Sequence, residues 1–303
     1  MAASKGKRPQ LAIMNAVHDL PVLVARDKGF FRDEGLDIEF VTTPGMAQVS
    51  TSHLVKFDSV FDRPLDSVYN EGGIDQYRMC EWGIMKRAVE AECEGRRGRK
   101  IVALGAAMSS FAIVVTRDSK IYEPEQLKDK PIAVTPNNGS HFTTLKMIEG
   151  FLTPEHVKVT NAGSMLQRLE ALRQGKVAAV SLMEPWISYA HKQGLRILIE
   201  SHSSRSEAAS DDLDGKTLAA MFRAQAHAVE VLEKDPTPYL HYLTQETGGL
   251  LQPNELQAWR LLNAPPAPYT RERFEDTYNW TVKWNMTVPG ATYETVVDNR
   301  AWS

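Results

Sequence analysis

Cysteine is scarce in this chain of 303 residues, which holds only Cys80 and Cys93. Two thiols in one segment supply neither a disulfide framework nor a metal cluster. Long apolar runs are also missing: no stretch reaches the roughly 20 residues of a membrane-spanning helix. The opening MAASKGKRPQLAIMN carries basic residues but no apolar core of signal-peptide length. The chain as given is therefore expected in the cytoplasm, or in the periplasm or outside the cell if a leader has been trimmed from it. A charge excess is absent too. Lys and Arg number 35 and Asp and Glu 38, a formal net charge of −3. That balance gives no bulk attraction to nucleic acid or anionic lipid, so neither is expected as a partner. There is no internal repeat and no low-complexity segment. What remains is an ordinary globular composition, 43% hydrophobic and 24% charged, long enough for two compact lobes or one large domain.

The most informative stretch is Pro131 to Leu152, PIAVTPNNGSHFTTLKMIEGFL. Ile132, Ala133 and Val134 form an apolar run of buried-strand length. The turn cluster Pro136-Asn137-Asn138-Gly139-Ser140 follows. Leu145, Ile148 and Leu152 then recur at helical spacing. This is strand, turn, helix, with Ser140 as the expected N-cap and Gly139 allowing close backbone approach. The first N–H groups of such a helix have no internal partner and sit at the positive end of its dipole. A carboxylate, sulfonate or phosphate can bind there without a lysine.

The same alternation runs from the start of the chain. Leu11–Met14 reads as a strand, His18–Pro21 as a loop, Val22–Phe31 as a helix and Leu36–Val41 as a half-buried strand. Residues 46–72 hold Asp58, Asp62, Arg63 and Asp66 too densely for a simple buried helix and read as irregular. Further strands are expected to end near Cys80 and to cover Ile101–Leu104, Phe111–Val115, Val157–Val159, Val177–Met183 and Arg196–Ile199. Helices are expected over Ile84–Ala91 and from a cap at Ser164 to Gly175. Beyond residue 205 the pattern is helical: Leu218–Lys234, Tyr239–Thr247, Asn254–Leu262, Arg271–Trp284 and Glu294–Val297. Strands alternating with helices argue for an α/β protein with parallel sheets. Ligands then sit beyond the carboxyl ends of strands. The loops there are His18–Pro21, Thr42–Gly45, Cys80–Gly83, Asn137–His141 and Glu184–Trp186.

Three stretches resemble the substrate-binding proteins for sulfonates, taurine and nitrate. HDLPVLVARDKGFFRDEGLDIEFV, from His18 to Val41, is similar to that family's contact loop and its A-x-x-x-G-F-F-x-x-E-G-L-D segment, here Ala25, Gly29, Phe30, Phe31, Glu34, Gly35, Leu36 and Asp37. Leu127–Val134 with Gly139-Ser140, and Leu169–Trp186, resemble two further segments. Asp235-Pro236 and Tyr269-Thr270-Arg271 in the tail look similar as well. The resemblance implies a two-lobed type II periplasmic-binding-protein fold with the ligand cleft between lobes. Lobe one would be residues 1–110 plus 203–303 and lobe two 111–202, joined by two hinge crossings. The resemblance also implies a small-molecule ligand and a transporter permease as partner. The same family includes cytoplasmic enzymes: thiamine-pyrimidine synthases, aromatic decarboxylases and a sulfinate desulfinase with a nucleophilic cysteine. The cysteine-rich iron motif of the pyrimidine synthases is absent, and no cofactor or metal is expected. Asp58, Asp62 and Glu71 match no metal-loop spacing.

Two functions from different classes follow. In the first, the chain binds a small polar or anionic organic molecule through Asn138, Gly139, Ser140 and His141, with His18, Cys80, Trp82, Glu184 and Trp186 around it. In the second, it is a decarboxylase, desulfinase or other lyase. Cys80 would be its nucleophile, activated by an imidazolium at His18, with Glu81 as acid–base or cation-binding group. Each residue also has a plain structural reading. A buried cysteine is ordinarily a small hydrophobe, tryptophans pack as core, and a histidine or glutamate at a strand end is often only solvated.

Overall fold

The computed structural model describes residues 8–42, 74–96 and 98–303. The chain forms β1 (Gln10–Ile13), α1 (Ala16–Lys28), α2 (Phe30–Asp33), β2 (Glu39–Thr42), β3 (Gln76–Cys80), α3 (Glu81–Cys93), β4 (Lys100–Val115), β5 (Pro131–Val134), α4 (Gly139–Ile148), β6 (Lys158–Asn161), α5 (Met165–Arg173), β7 (Ala179–Met183), α6 (Trp186–Lys192), β8 (Arg196–Ala209), α7 (Gly215–Lys234), α8 (Leu240–Gln245), β9 (Leu262–Asn263), α9 (Arg271–Lys283) and α10 (Tyr293–Val296), with short 3-10 turns between them. Asp58, Asp62 and Glu71, and the loop after Thr42, lie outside the described residues.

The opening unit is β-α-β, with β1 and β2 parallel. Its helix begins at Ala16 because Asn15 caps it, the side chain accepting the His18 N–H at 3.1 Å. Pro21 lies inside the helix, so the expected loop His18–Pro21 is helical. Gly29 ends the helix at φ 81°, a conformation that costs other residues energy.

The strands join in one sheet in the order β2-β1-β3-β8-β4-β7-β5-β6, with β9 on β4. The sheet is mixed, not parallel throughout. β1, β2, β5, β6 and β7 make parallel pairs, while β3–β8, β8–β4 and β4–β7 are antiparallel. Two long strands cause this. The expected strands Ile101–Leu104 and Phe111–Val115 are the two ends of β4. The expected strand Arg196–Ile199 continues to Ala209, through a serine-rich segment that lacks apolar alternation but pairs with both neighbours. β4 and β8 therefore run through both halves of the molecule. β2, β1 and β3 flank them at one end, and β7, β5 and β6 at the other. Between the halves the ladder slips: Leu104 pairs with Ser206 and Met108 with Ser204, so β4 bulges there. Ser110 and His202, near the expected crossings, face each other in this ladder.

The largest buried cluster spreads from α1 and Phe31 through β4, β5 and β7 to Leu218, Phe222 and Leu232 of α7. A second lies under β3 and α3, with Tyr77, Ile84, Met85, Tyr269 and Phe274. The expected helix Asn254–Leu262 is two 3-10 turns leading into β9. Among the described residues no helix is long and apolar enough to cross a membrane.

Candidate functional site

Cys80 ends β3 opposite Arg205 of β8, and the next same-face pair is Arg78 and Glu207. Directly opposed residues share a face of the sheet. Arg78 meets two acids through its Nε and Nη1, while its Nη2 has no hydrogen-bond partner. Its Nε donates to Glu207 Oε1 at 3.0 Å, and its Nη1 donates to Asp19 Oδ1 and, at 3.1 Å, to the Ala12 carbonyl. The other Asp19 oxygen accepts the Met14 and Asn15 N–H groups. Burial raises the Glu207 pKa against the pull of Arg78.

Arg205 is buried to 0% exposure yet has no carboxylate. Its Nη1 is 3.4 Å from Ser203 Oγ, and its Nε and Nη2 have no acceptor. Burial brings its pKa down to about 10. Two other arginines show what that bare edge is suited to. Arg273 grips Glu81 with Nε on Oε1 at 2.7 Å and Nη2 on Oε2 at 2.5 Å. Arg260 grips Glu200 with the same two atoms, at 2.6 and 3.0 Å. This two-pronged grip is the strong geometry of guanidinium–oxyanion pairs. Arg205 presents the same fork empty.

The start of α4 lies against the same cluster. The Arg205 guanidinium carbon sits 5.7 Å from the Phe111 ring centroid. A Cβ on Gly139 would come 3.1 Å from Phe111 Cζ and 3.4 Å from Cys80 Cβ. A side chain at this position would need Phe111 to give way by a few tenths of an ångström. The N-cap is Asn138, not Ser140. Ser140 is already helical, and its Oγ accepts the Thr135 N–H at 2.9 Å, which fastens the turn instead of capping the helix. His141 Nδ1 accepts the Asn137 N–H at 3.2 Å. The side chains expected to touch a ligand thus hold the turn, and the His141 and Phe142 N–H groups donate to the Asn138 carbonyl at 2.8 and 3.1 Å.

His18 lies in the first turn of α1 and is buried, with Nδ1 against Asn15 Oδ1. Burial first, then the charges of Arg205 and Arg78, push its pKa well below the usual histidine value. That shift favours the neutral ring, which is not the imidazolium expected to activate Cys80. Glu81 faces a different group. It accepts from Tyr269 Oη at 2.7 Å, Thr277 Oγ1 at 2.9 Å and both prongs of Arg273. Trp82 stacks on Phe142 at 6.3 Å and leans on Trp280 at 5.6 Å. Trp280 and Trp284 donate their indole N–H groups to Glu149, which follows α4. Glu184 and Trp186 follow Met183, which pairs with Phe111. The Glu184 carboxylate accepts from Ser188 and lies 3.6 Å from Arg260, with burial raising its pKa to about 7. Trp186 packs edge-on against Tyr189.

Of the expected residues, Cys80 and Gly139 are brought together around Arg205, and His18 lies within range of its charge. Trp82 adjoins the group through Phe142. Glu81 and Glu184 are each engaged in a hydrogen-bond network of their own, and Trp186 packs on Tyr189. Arg205, Arg78, Asp19 and Phe111 were not singled out from the sequence. The signal available for Arg205 was a lone arginine among serines in SHSSRSEAAS, which reads as a polar loop until its strand pairing is known.

The environment of Cys80 sets a labelling order. Cys80 is buried and Cys93 exposed. An alkylating reagent near neutral pH should modify Cys93 first and reach Cys80 only on unfolding or opening, as mass mapping of the labelled peptides will read. Faster modification of Cys80 would revive the nucleophile.

No protein-family model matches the sequence, and no curated protein sequence matches it significantly. Solved structures do match. The periplasmic aliphatic sulphonate binding protein SsuA from Escherichia coli superposes with a TM-score of 0.74 at 15% identity, covering 97% of this chain and 92% of its own. The periplasmic nitrate-binding protein NrtA from Synechocystis PCC 6803 gives 0.67 at 14%, covering 99% and 88%. The desulfurization enzyme DSZB gives 0.59 at 13%, covering 97% and 98%. Over nearly its whole length, the chain has the two-lobed α/β fold of the periplasmic binding proteins, as the segments at His18–Val41 and Leu127–Ser140 imply.

Proposed function

We propose that the chain binds a small organic anion between two lobes, residues 1–110 plus 203–303 and residues 111–202, as the ligand-binding component of an import system does. The observation that carries this reading is the empty Nε/Nη2 fork of Arg205. A buried charge without a partner is costly. A carboxylate, sulfonate or phosphonate would accept from both prongs, and the start of α4 would offer a favourable dipole. Gly139 and Cys80 would line the site, with His18 beside it. β4 and β8 would be the two crossings, flexing at the Leu104–Met108 bulge. The stack of Trp82 on Phe142, with Trp280 behind Trp82, would close with them. SsuA and NrtA, which share the fold, are named for small anions. A permease partner, and a periplasmic location if the chain is exported, belong to this reading. The thiol-lyase alternative has less support, because the His18 shift favours the neutral ring and the Glu81 oxygens are occupied.

Tryptophan fluorescence and calorimetry test it. Small carboxylates, sulfonates and phosphonates should include a saturable ligand, while the matching neutral amides should not bind. The pH dependence has a definite sign. Charged Arg205 binds the anion, and its pKa without ligand is about 10. Affinity should be flat from about pH 7 to 9 and fall up to roughly tenfold per unit above pH 10. A fall between about pH 6 and 8, where an unperturbed histidine loses its proton, would assign the ligand to an imidazolium and contradict the reading.

A further inference from the structure

His18 adds a second chemical demand at the same place. Asn15 Oδ1 accepts the His18 backbone N–H and also meets its ring Nδ1. A carbonyl oxygen only accepts, so Nδ1 carries the ring proton. In a neutral imidazole the other nitrogen, Nε2, is then a bare acceptor. Among the described residues no donor reaches it. The surroundings are hostile to a positive charge, since Arg78 and Arg205 both act against protonation of the ring. The carboxylates that could offset a ligand cation are engaged. Asp19 is held by Met14, Asn15 and Arg78, and Glu207 by Arg78 and Gln76, while burial raises the Glu246 pKa to about 7 and weakens its charge.

We infer that His18 is a specificity-determining residue: the ligand is a hydroxylated organic anion whose O–H donates to His18 Nε2 while its anionic group occupies the Arg205 fork, and not a zwitterion bearing an ammonium. This rests on the anion-site reading above. The hydroxyl satisfies an acceptor that an unsubstituted anion leaves bare. An ammonium could donate to the same nitrogen, but it would bring a second cation beside two guanidinium groups.

Two matched series test this by calorimetry at neutral pH: ethanesulfonate, 2-hydroxyethanesulfonate and 2-aminoethanesulfonate, and propanoate, 3-hydroxypropanoate and 3-aminopropanoate. In whichever head group binds, the hydroxylated member should bind about fivefold more tightly than the unsubstituted one, as one neutral hydrogen bond supplies. The amino member should bind more weakly than either. His18→Phe should bring the ratio of hydroxylated to unsubstituted affinity down to about one. If that variant does not fold, the wild-type series decides alone. Binding of the unsubstituted anion that depends on Arg205, with no gain from the hydroxyl or with the amino member tightest, would overturn the inference and leave the anion site standing. Absence of binding in both series would overturn both.

Discussion

Arg205→Met should weaken anion binding at least a hundredfold while leaving the melting temperature unchanged or raising it. Each charge-assisted hydrogen bond is worth about 1.5–3 kcal/mol, and the fork offers two, so losing both removes at least two powers of ten. The stability effect runs the other way. Arg205 has a pKa of about 10, lowered by burial, so folding disfavours its charged form. At neutral pH, below that value, the charge opposes folding, and an uncharged side chain of similar length relieves the cost. A ligand-binding role and a structural role therefore predict opposite melting shifts. Calorimetry on the variant, beside its thermal melt, separates them. A markedly lower melting temperature with intact anion binding would make Arg205 a structural residue.

Arg78→Met, two positions before Cys80 on the same sheet face, should do the reverse to stability. Arg78 is bonded to two buried carboxylates, Asp19 and Glu207. Removing it strands both, and breaking a buried pair in this way costs about 3–5 kcal/mol. For a chain of this size that is a fall in melting temperature on the order of 10 °C. Arg78→Lys should recover part of it by restoring one charge without the fork. An unchanged melt for Arg78→Met would mean that these acids are neutralised in another way. The contrast between the two arginines lies in their acceptors, because both are almost fully buried.

Much of the architecture was readable from local pattern. β1 with β2 across α1, the strand–turn–helix of Pro131–Ile148 and the capped helix after Ser164 all follow from apolar periodicity and turn residues. The long strands were not readable. β4 crosses Gly105 to Ser110, mostly small residues without the alternation of a half-buried strand, and β8 crosses Ser201–Ser206. Their pairing is set by partners distant in sequence, which no local window contains. The site divides in the same way. Gly139 and Cys80 were visible because turns and strand ends leave local signals. The Arg205 fork was hidden, since an unpaired guanidinium is defined by what fails to reach it. Ser140 shows the limit of a cap rule: it satisfies an N–H before the helix, and Asn138 takes the cap position.

A crystal structure of the protein with the anion selected by the titrations bears most directly on the account. It should show two oxygens of that anion at hydrogen-bond distance, roughly 3 Å, from Nε and Nη2 of Arg205, with the head group against the first turn of α4. A ligand bound elsewhere while the fork stays empty would contradict it.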